Sequence, residues 1–193
     1  MDRLPANKMP DQIVITGGPG SGKTESLARL KDIPRYRKFV FLSELARKLL
    51  EESSHYRHDM TAFHSEIYRQ QTERETELGK QSFITDRGTA DAFAFHPETM
   101  SLVNTTIEAE YRRYSSVVQL GSAAALGEKY YTGDKIRLEP IREALEIEEA
   151  IKQVWQDHPD YHFIHANRDF EAKFKQLVGV LDTCVQRGSI ATE

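Results

Sequence analysis

Cysteine is almost missing from this chain of 193 residues. Cys184 stands alone, so no internal disulfide is available, and a reducing compartment suits the sequence. Long apolar runs are missing too. None approaches the roughly 18 residues needed to span a bilayer, and Met1-Asp2-Arg3-Leu4-Pro5 has no hydrophobic core of a signal peptide. A cytoplasmic protein with no membrane partner is expected. The chain also lacks an excess of positive charge. Its 26 Lys and Arg against 30 Asp and Glu leave a net charge of −4, which gives no electrostatic basis for general nucleic-acid binding. With 39% hydrophobic and 29% charged residues it is a globular chain, and its length suits one domain.

What is present begins with Gly17-Gly18-Pro19-Gly20-Ser21-Gly22-Lys23-Thr24, which fits the phosphate-binding pattern G-x-x-x-x-G-K-[ST] at every fixed position. The apolar run Ile13-Val14-Ile15 leads into it, and Glu25 to Leu30 follow with helical spacing, so the motif has its strand–loop–helix context. Glycines let successive backbone N–H groups turn inward around a polyphosphate. Lys23 can reach the β- and γ-phosphates, Thr24 can give its hydroxyl to Mg²⁺, and the helix N-terminus favours the same anion. Nucleotide binding is the reading that follows.

Taken in order, residues 1–10 form a poorly ordered lead and residues 11–16 the first strand. A second strand is expected at 38–42, followed by a helix capped by Ser43. Residues 53–80 predict one long, weakly amphipathic helix, and Ser82-Phe83-Ile84-Thr85 a strand ending at Asp86-Arg87-Gly88. A helix from Gly88 is interrupted at His96-Pro97, and another runs from Glu98 to about Tyr111. Strands at 116–120 and 161–165 complete the sheet, helices are expected at 140–155 and 169–186, and residues 188–193 form a tail. The glycine-dotted segment at about 121–142 is a candidate mobile lid within a single domain of residues 11–187. Alternating strands and helices predict an α/β P-loop NTPase three-layer sandwich, with a five-stranded, mostly parallel sheet covered on both faces. Ligands in such sheets bind beyond the carboxyl ends of the strands, where Glu44, Asp86 and Asn167 fall.

Phosphoryl transfer needs held phosphates, a metal, an oriented acceptor and positive charge near the migrating group. Asp86 can hold Mg²⁺ or take the proton of an acceptor hydroxyl, and Arg87 can bind a phosphate or substrate group. Glu44 can act as general base or anchor a ribose hydroxyl, the plain alternative being a helix-start carboxylate. Arg137 and Arg142 beside the lid can reach the phosphates, and Asn167-Arg168 can enclose and stack on an adenine. Phe63, Tyr68 and Gln71 are candidates for an acceptor pocket, although such a stripe more often packs a core. His55-x-x-His58 and His162-x-x-His165 have metal-pair spacing, but no cysteine or third ligand accompanies them in the sequence, so they read as ordinary histidines.

With the loop, Ser43-Glu44-Leu45-Ala46-Arg47, Thr85-Asp86-Arg87-Gly88-Thr89-Ala90-Asp91 and Arg137-Leu138-Glu139 in view, the chain resembles, over about 11–185, the AAA-domain family typified by the nicotinamide-riboside kinase portion of NadR. The resemblance implies ATP or GTP binding at Gly17 to Thr24, metal support from Asp86 and phosphate contacts from Arg87, Arg137 and Arg142. A kinase moving the γ-phosphoryl of ATP, with Mg²⁺, onto a nucleoside-like or other small acceptor is therefore expected. The alternative is a nucleotide-binding switch or slow NTPase acting through a partner. No Gln placed to orient water and no Asn-Lys-x-Asp guanine motif is found, which favours the kinase and ATP.

Overall fold

Five short strands, each followed by helix or turn, give one sheet in the order β2-β3-β1-β4-β5, and every strand pairing among the described residues is parallel. The computed structural model describes residues 10–131 and 140–190, with side chains described to 185. The strands are β1 (Gln12–Thr16), β2 (Val40–Leu42), β3 (Phe83–Asp86), β4 (Ser116–Leu120) and β5 (Tyr161–Ile164).

The helices are α1 (Lys23–Asp32), α2 (Leu45–Glu52), α3 (Met60–Leu78), α4 (Asp91–Phe95), α5 (Thr99–Leu102), α6 (Ile107–Tyr111), α7 (Ile141–Trp155) and α8 (Phe170–Ile190).

Successive strand residues face opposite sides of a sheet, so a strand covered on both faces is apolar throughout. Ile13 and Ile15 of β1 enter one core with Leu27 and Leu30 of α1 and Leu177 and Leu181 of α8. Val14 enters the other, with Ala92 and Phe93 of α4 and Ile151 and Trp155 of α7. The result is the three-layer P-loop NTPase-like α/β sandwich, with a sheet that is wholly rather than mostly parallel. Parallel register sets Ile15 beside both Asp86 and Val118, which aligns the strand ends that carry the loops.

Several helix boundaries differ from the sequence expectation, each for a local reason. Residues 53–80 are not one helix: Ser53 caps a 3₁₀ turn at Ser54–Arg57 by accepting from the His55 N–H, and Asp59 starts α3 by accepting from the Ala62 N–H at 2.8 Å. Between 98 and 111 the chain also breaks, with Asn104 at φ 54° and Thr106 capping α6. The N-cap of α2 is Glu44 and not Ser43, and the Glu44 carboxylate leaves its helix to pair with Arg87. Helix α8 runs beyond 186 to Ile190, so the first three residues of the expected tail are helical. Among the described residues no helix is long and apolar enough to cross a membrane.

Candidate active site at the strand ends

The phosphate loop runs from the end of β1 into α1. Gly20 and Gly22 have φ 75° and 77°, in the left-handed region, and Gly22 is the N-cap of α1. Space excludes a side chain at Gly20 as well, since a Cβ there would lie 2.7 Å from the Tyr131 ring. Two groups from elsewhere hold the loop: Ser122 Oγ donates to the Pro19 carbonyl, and Lys173 Nζ donates to the carbonyls of Ser21 at 2.8 Å and Gly121 at 2.5 Å. Burial lowers the Lys173 ammonium to about 8, against the opposing pull of Glu148. Lys173 was not singled out in the sequence. The signal was there, because it interrupts the apolar stripe of Phe170, Phe174, Leu177 and Leu181 on α8.

Lys23, buried at the start of α1, lies 3.3 Å from Asp86 Oδ1 at the end of β3. This is an ion-pair contact without hydrogen-bond geometry, so that oxygen is buried with an acceptor site left over. Burial raises the Asp86 carboxyl, Lys23 draws it back, and the nearby Glu44 carboxylate raises it again. Glu44 is also raised by burial, but Arg87 and Lys23 outweigh this and hold it below its ordinary value.

Arg87 has φ 71°, a costly conformation for a residue with a Cβ. Three bonds fix it. Its N–H donates to the Ile15 carbonyl at 3.1 Å, and its own carbonyl accepts from Thr85 Oγ1 at 2.8 Å and Gln71 Nε2 at 3.4 Å. The guanidinium then turns toward Glu44 at 2.9 Å and Asp91 at 3.4 Å, over the Phe95 ring at 4.9 Å. Asp91, which the sequence reading left without a role, accepts from Thr16 Oγ1, from the Gly88 N–H at 2.8 Å and from Trp155 Nε1 at 3.2 Å.

Behind Arg87, buried Gln71 links this turn to a second network. Gln71 Nε2 donates to Glu75 and to Thr85 Oγ1 at 2.9 Å, while Glu75 accepts from Tyr114 at 2.9 Å and Arg113 at 3.0 Å. Burial raises the Glu75 carboxyl. Gln71 and Phe63 border a cavity of about 170 Å³ that opens beside Asp86 and Glu44; Tyr68 does not, its hydroxyl donating to Glu110 at 2.8 Å.

A second cavity, of about 150 Å³, lies between the loop and the end of β5, lined by Gly20, Gly22, Asn167, Arg168 and Phe170. Asn167 Oδ1 accepts from the Asp169 N–H at 2.9 Å, and the Arg168 guanidinium sits 5.3 Å from the Tyr130 ring centre. Thr24 is exposed at the loop. Arg142 points to solvent, with 89% of its side chain exposed, and bonds Glu146. Arg137 lies outside the described residues, as does the rest of 132–139 in the candidate lid; in its described part, Ala123–Leu126 form a 3₁₀ turn. The structure also brings Cys184 to His162, with Asp160 completing a trio whose ligand atoms lie within 4.8 Å of one another. Asp160 is already engaged by His162 at 3.1 Å and by Ser116 Oγ at 2.6 Å, so hydrogen bonding accounts for its position.

The family model described as an AAA domain matches residues 12–173. The chain belongs to that AAA domain family. For a P-loop AAA domain this points to nucleotide binding with hydrolysis or transfer of a phosphate, and P-loop domains of this kind generally bind nucleotide with Mg²⁺. Comparison with curated proteins gave no match.

Proposed function

We propose that this AAA domain is an ATP-dependent phosphotransferase acting on a small hydroxyl-bearing acceptor, as one domain spanning about 11–187. The observation that carries this reading is the cavity beside the phosphate loop. Asp86 touches Lys23 on one side and borders the cavity on the other, so an acceptor held there meets the end of a nucleotide held by the loop. Backbone donors of Gly17 to Gly22 and the Lys23 ammonium hold the β- and γ-phosphates, and Asn167 and Arg168 flank the base.

Thr24 and Asp86 fit a divalent cation, since Asp86 Oδ1 is a buried acceptor without a hydrogen bond and Thr24, with a hydroxyl to give, is an exposed residue beside the loop. When bound, Mg²⁺ neutralises charge developing on the phosphate oxygens. Glu44, kept ionised by Arg87, accepts a hydrogen bond from the acceptor hydroxyl and aims its oxygen at the γ-phosphorus. The new P–O bond forms as the bond to the β,γ-bridging oxygen breaks. ADP leaves with that electron pair, and the hydroxyl proton passes to Glu44. Deprotonation comes late in a loose transition state, so a carboxylate of low basicity suffices. Arg87, with Arg137 of the lid, supplies positive charge for the moving phosphoryl group, and Arg142 adds to it only on leaving its solvent-exposed pair with Glu146.

The test is Glu44→Gln. Affinity for a non-hydrolysable ATP analogue should stay within about threefold, while transfer falls by roughly 10²–10⁴-fold. Equal loss of both would move Glu44 into nucleotide binding. ATP hydrolysis unaffected by Glu44→Gln, with no acceptor phosphorylated in a broad screen, would replace the kinase by a nucleotide-dependent switch.

A further inference from the structure

The cavity beside Asp86 has a composition that restricts what it can hold, and this bears on the acceptor in the reading above. Its walls are apolar or aromatic: Leu45, Phe63, Ile67, Ala92 and Phe95, with the His64 ring among them. That ring lies parallel to Phe95, at 7° between planes, and to His96, at 12°, so the wall offers a stack to a flat group. The size suits one ring. An apolar cavity of about 150 Å³ accepts a benzene molecule, and this one is about 170 Å³.

Its polar groups are nearly all in use. Gln71 is held by Glu75, Thr85 and Arg74, and Asp91 takes four donors from Thr16, Gly88, Arg87 and Trp155. Arg87 is committed to Glu44 and Asp91. The polar capacity left lies on Glu44 and Asp86, at one end of the cavity, and on a single unpartnered ring nitrogen, His64 Nδ1, in its stacking wall. A polyol buried here would have one hydroxyl satisfied at that end and at most one more at His64 Nδ1, with the others stranded, each unpaired group costing about 1–3 kcal/mol. Charge is equally selective. Three carboxylates, Glu44, Asp86 and Asp91, stand against the Arg87 guanidinium and the Lys23 ammonium 3.3 Å from Asp86, which leaves a net negative charge at the end where an anionic acceptor must react.

We infer that this cavity selects an uncharged alcohol carried on a single apolar ring, with its hydroxyl at the Glu44–Asp86 end, and rejects phosphomonoesters and free sugars. The inference rests on the phosphotransferase reading for its chemistry, but the binding preference stands by itself.

The experiment separates the two. The full-length protein is mixed with an ATP analogue, and binding of 4-fluorobenzyl alcohol, 4-fluorobenzyl phosphate and ribose is followed by ligand-observed NMR; the same three are then tested as phosphate acceptors from ATP. The alcohol should bind at least tenfold more tightly than the other two. Ala46→Leu, on the cavity-facing side of α2, should weaken it at least tenfold, as should Ile67→Ser. Circular dichroism and thermal melting of both variants report that they are folded. Equal or tighter binding of the phosphate or of ribose, or alcohol binding indifferent to both substitutions, overturns the inference. Alcohol binding without phosphate transfer from ATP supports the preference and removes the kinase. Transfer to ribose with no alcohol binding does the reverse.

Discussion

Gln71→Leu is the substitution that bears most on how the site is held. Gln71 is 3% exposed, and its amide joins three elements: α3, on which it sits, the end of β3 through Thr85, and the carbonyl of Arg87. Leucine of similar size removes the bonds and keeps the volume. Thr85 Oγ1 still has the Arg87 carbonyl, and Glu75 still has Tyr114 and Arg113, so neither partner is wholly stranded. The loss is then one neutral hydrogen bond of about 1 kcal/mol, to Thr85, and two to charged groups of about 2 kcal/mol each, to the Glu75 carboxylate and from the Arg74 guanidinium. Buried leucine returns part of this, leaving a destabilisation of about 2–3 kcal/mol. For a chain of this length that lowers Tm by roughly 4–12 °C. The Arg87 backbone, in a conformation costing about 1–2 kcal/mol, loses one of its three restraints, so transfer should fall while affinity for the ATP analogue changes little. Thermal melting and single-turnover transfer measure the two effects. A variant within about 0.5 kcal/mol of the parent, with unchanged transfer, would show that the network neither stabilises the fold nor positions Arg87.

Two further outcomes follow from buried groups near the same site. Burial, then the neighbouring His96, pushes His64 down to about 4, so the unfolded chain binds the extra proton between that value and the ordinary 6.5 and stability falls as pH drops through this window. Urea melts at pH 7 and pH 5 should show a loss of about 2 kcal/mol that His64→Phe removes; an identical loss in the variant would reject the assignment. Gly20→Ala places a Cβ at φ 75° and 2.7 Å from the Tyr131 ring, so nucleotide titration should show a marked loss of affinity, and full affinity would mean that the loop adapts.

The strands and the loop were legible because their signals are local. A glycine-rich motif between an apolar run and an amphipathic helix needs no tertiary information, and strands buried on both faces read as continuous apolar runs, as Ile13-Val14-Ile15 does. Glu44 and Asp86 could be placed at strand ends for the same reason. Their partners could not. Arg87 meets Glu44 across 43 positions of sequence, and Lys173 reaches Ser21 across 152. Helix breaks inside 53–80 and 98–111 were missed because single caps, Asp59 and Thr106, outweigh a weak periodicity. Cys184 beside His162 escaped because helix α8 returns to the sheet edge only in the folded chain.

Titrating the parent and Lys23→Ala with a fluorescent ATP analogue in the presence of Mg²⁺ decides whether the loop is a working nucleotide site. Lys23 is buried, and its ammonium faces Asp86 at 3.3 Å. The parent should bind saturably, and the variant should lose at least tenfold, about 1.4 kcal/mol, while its melting curve remains cooperative. Equal affinity in the two folded proteins, or no binding by the parent, would contradict a nucleotide site at the loop.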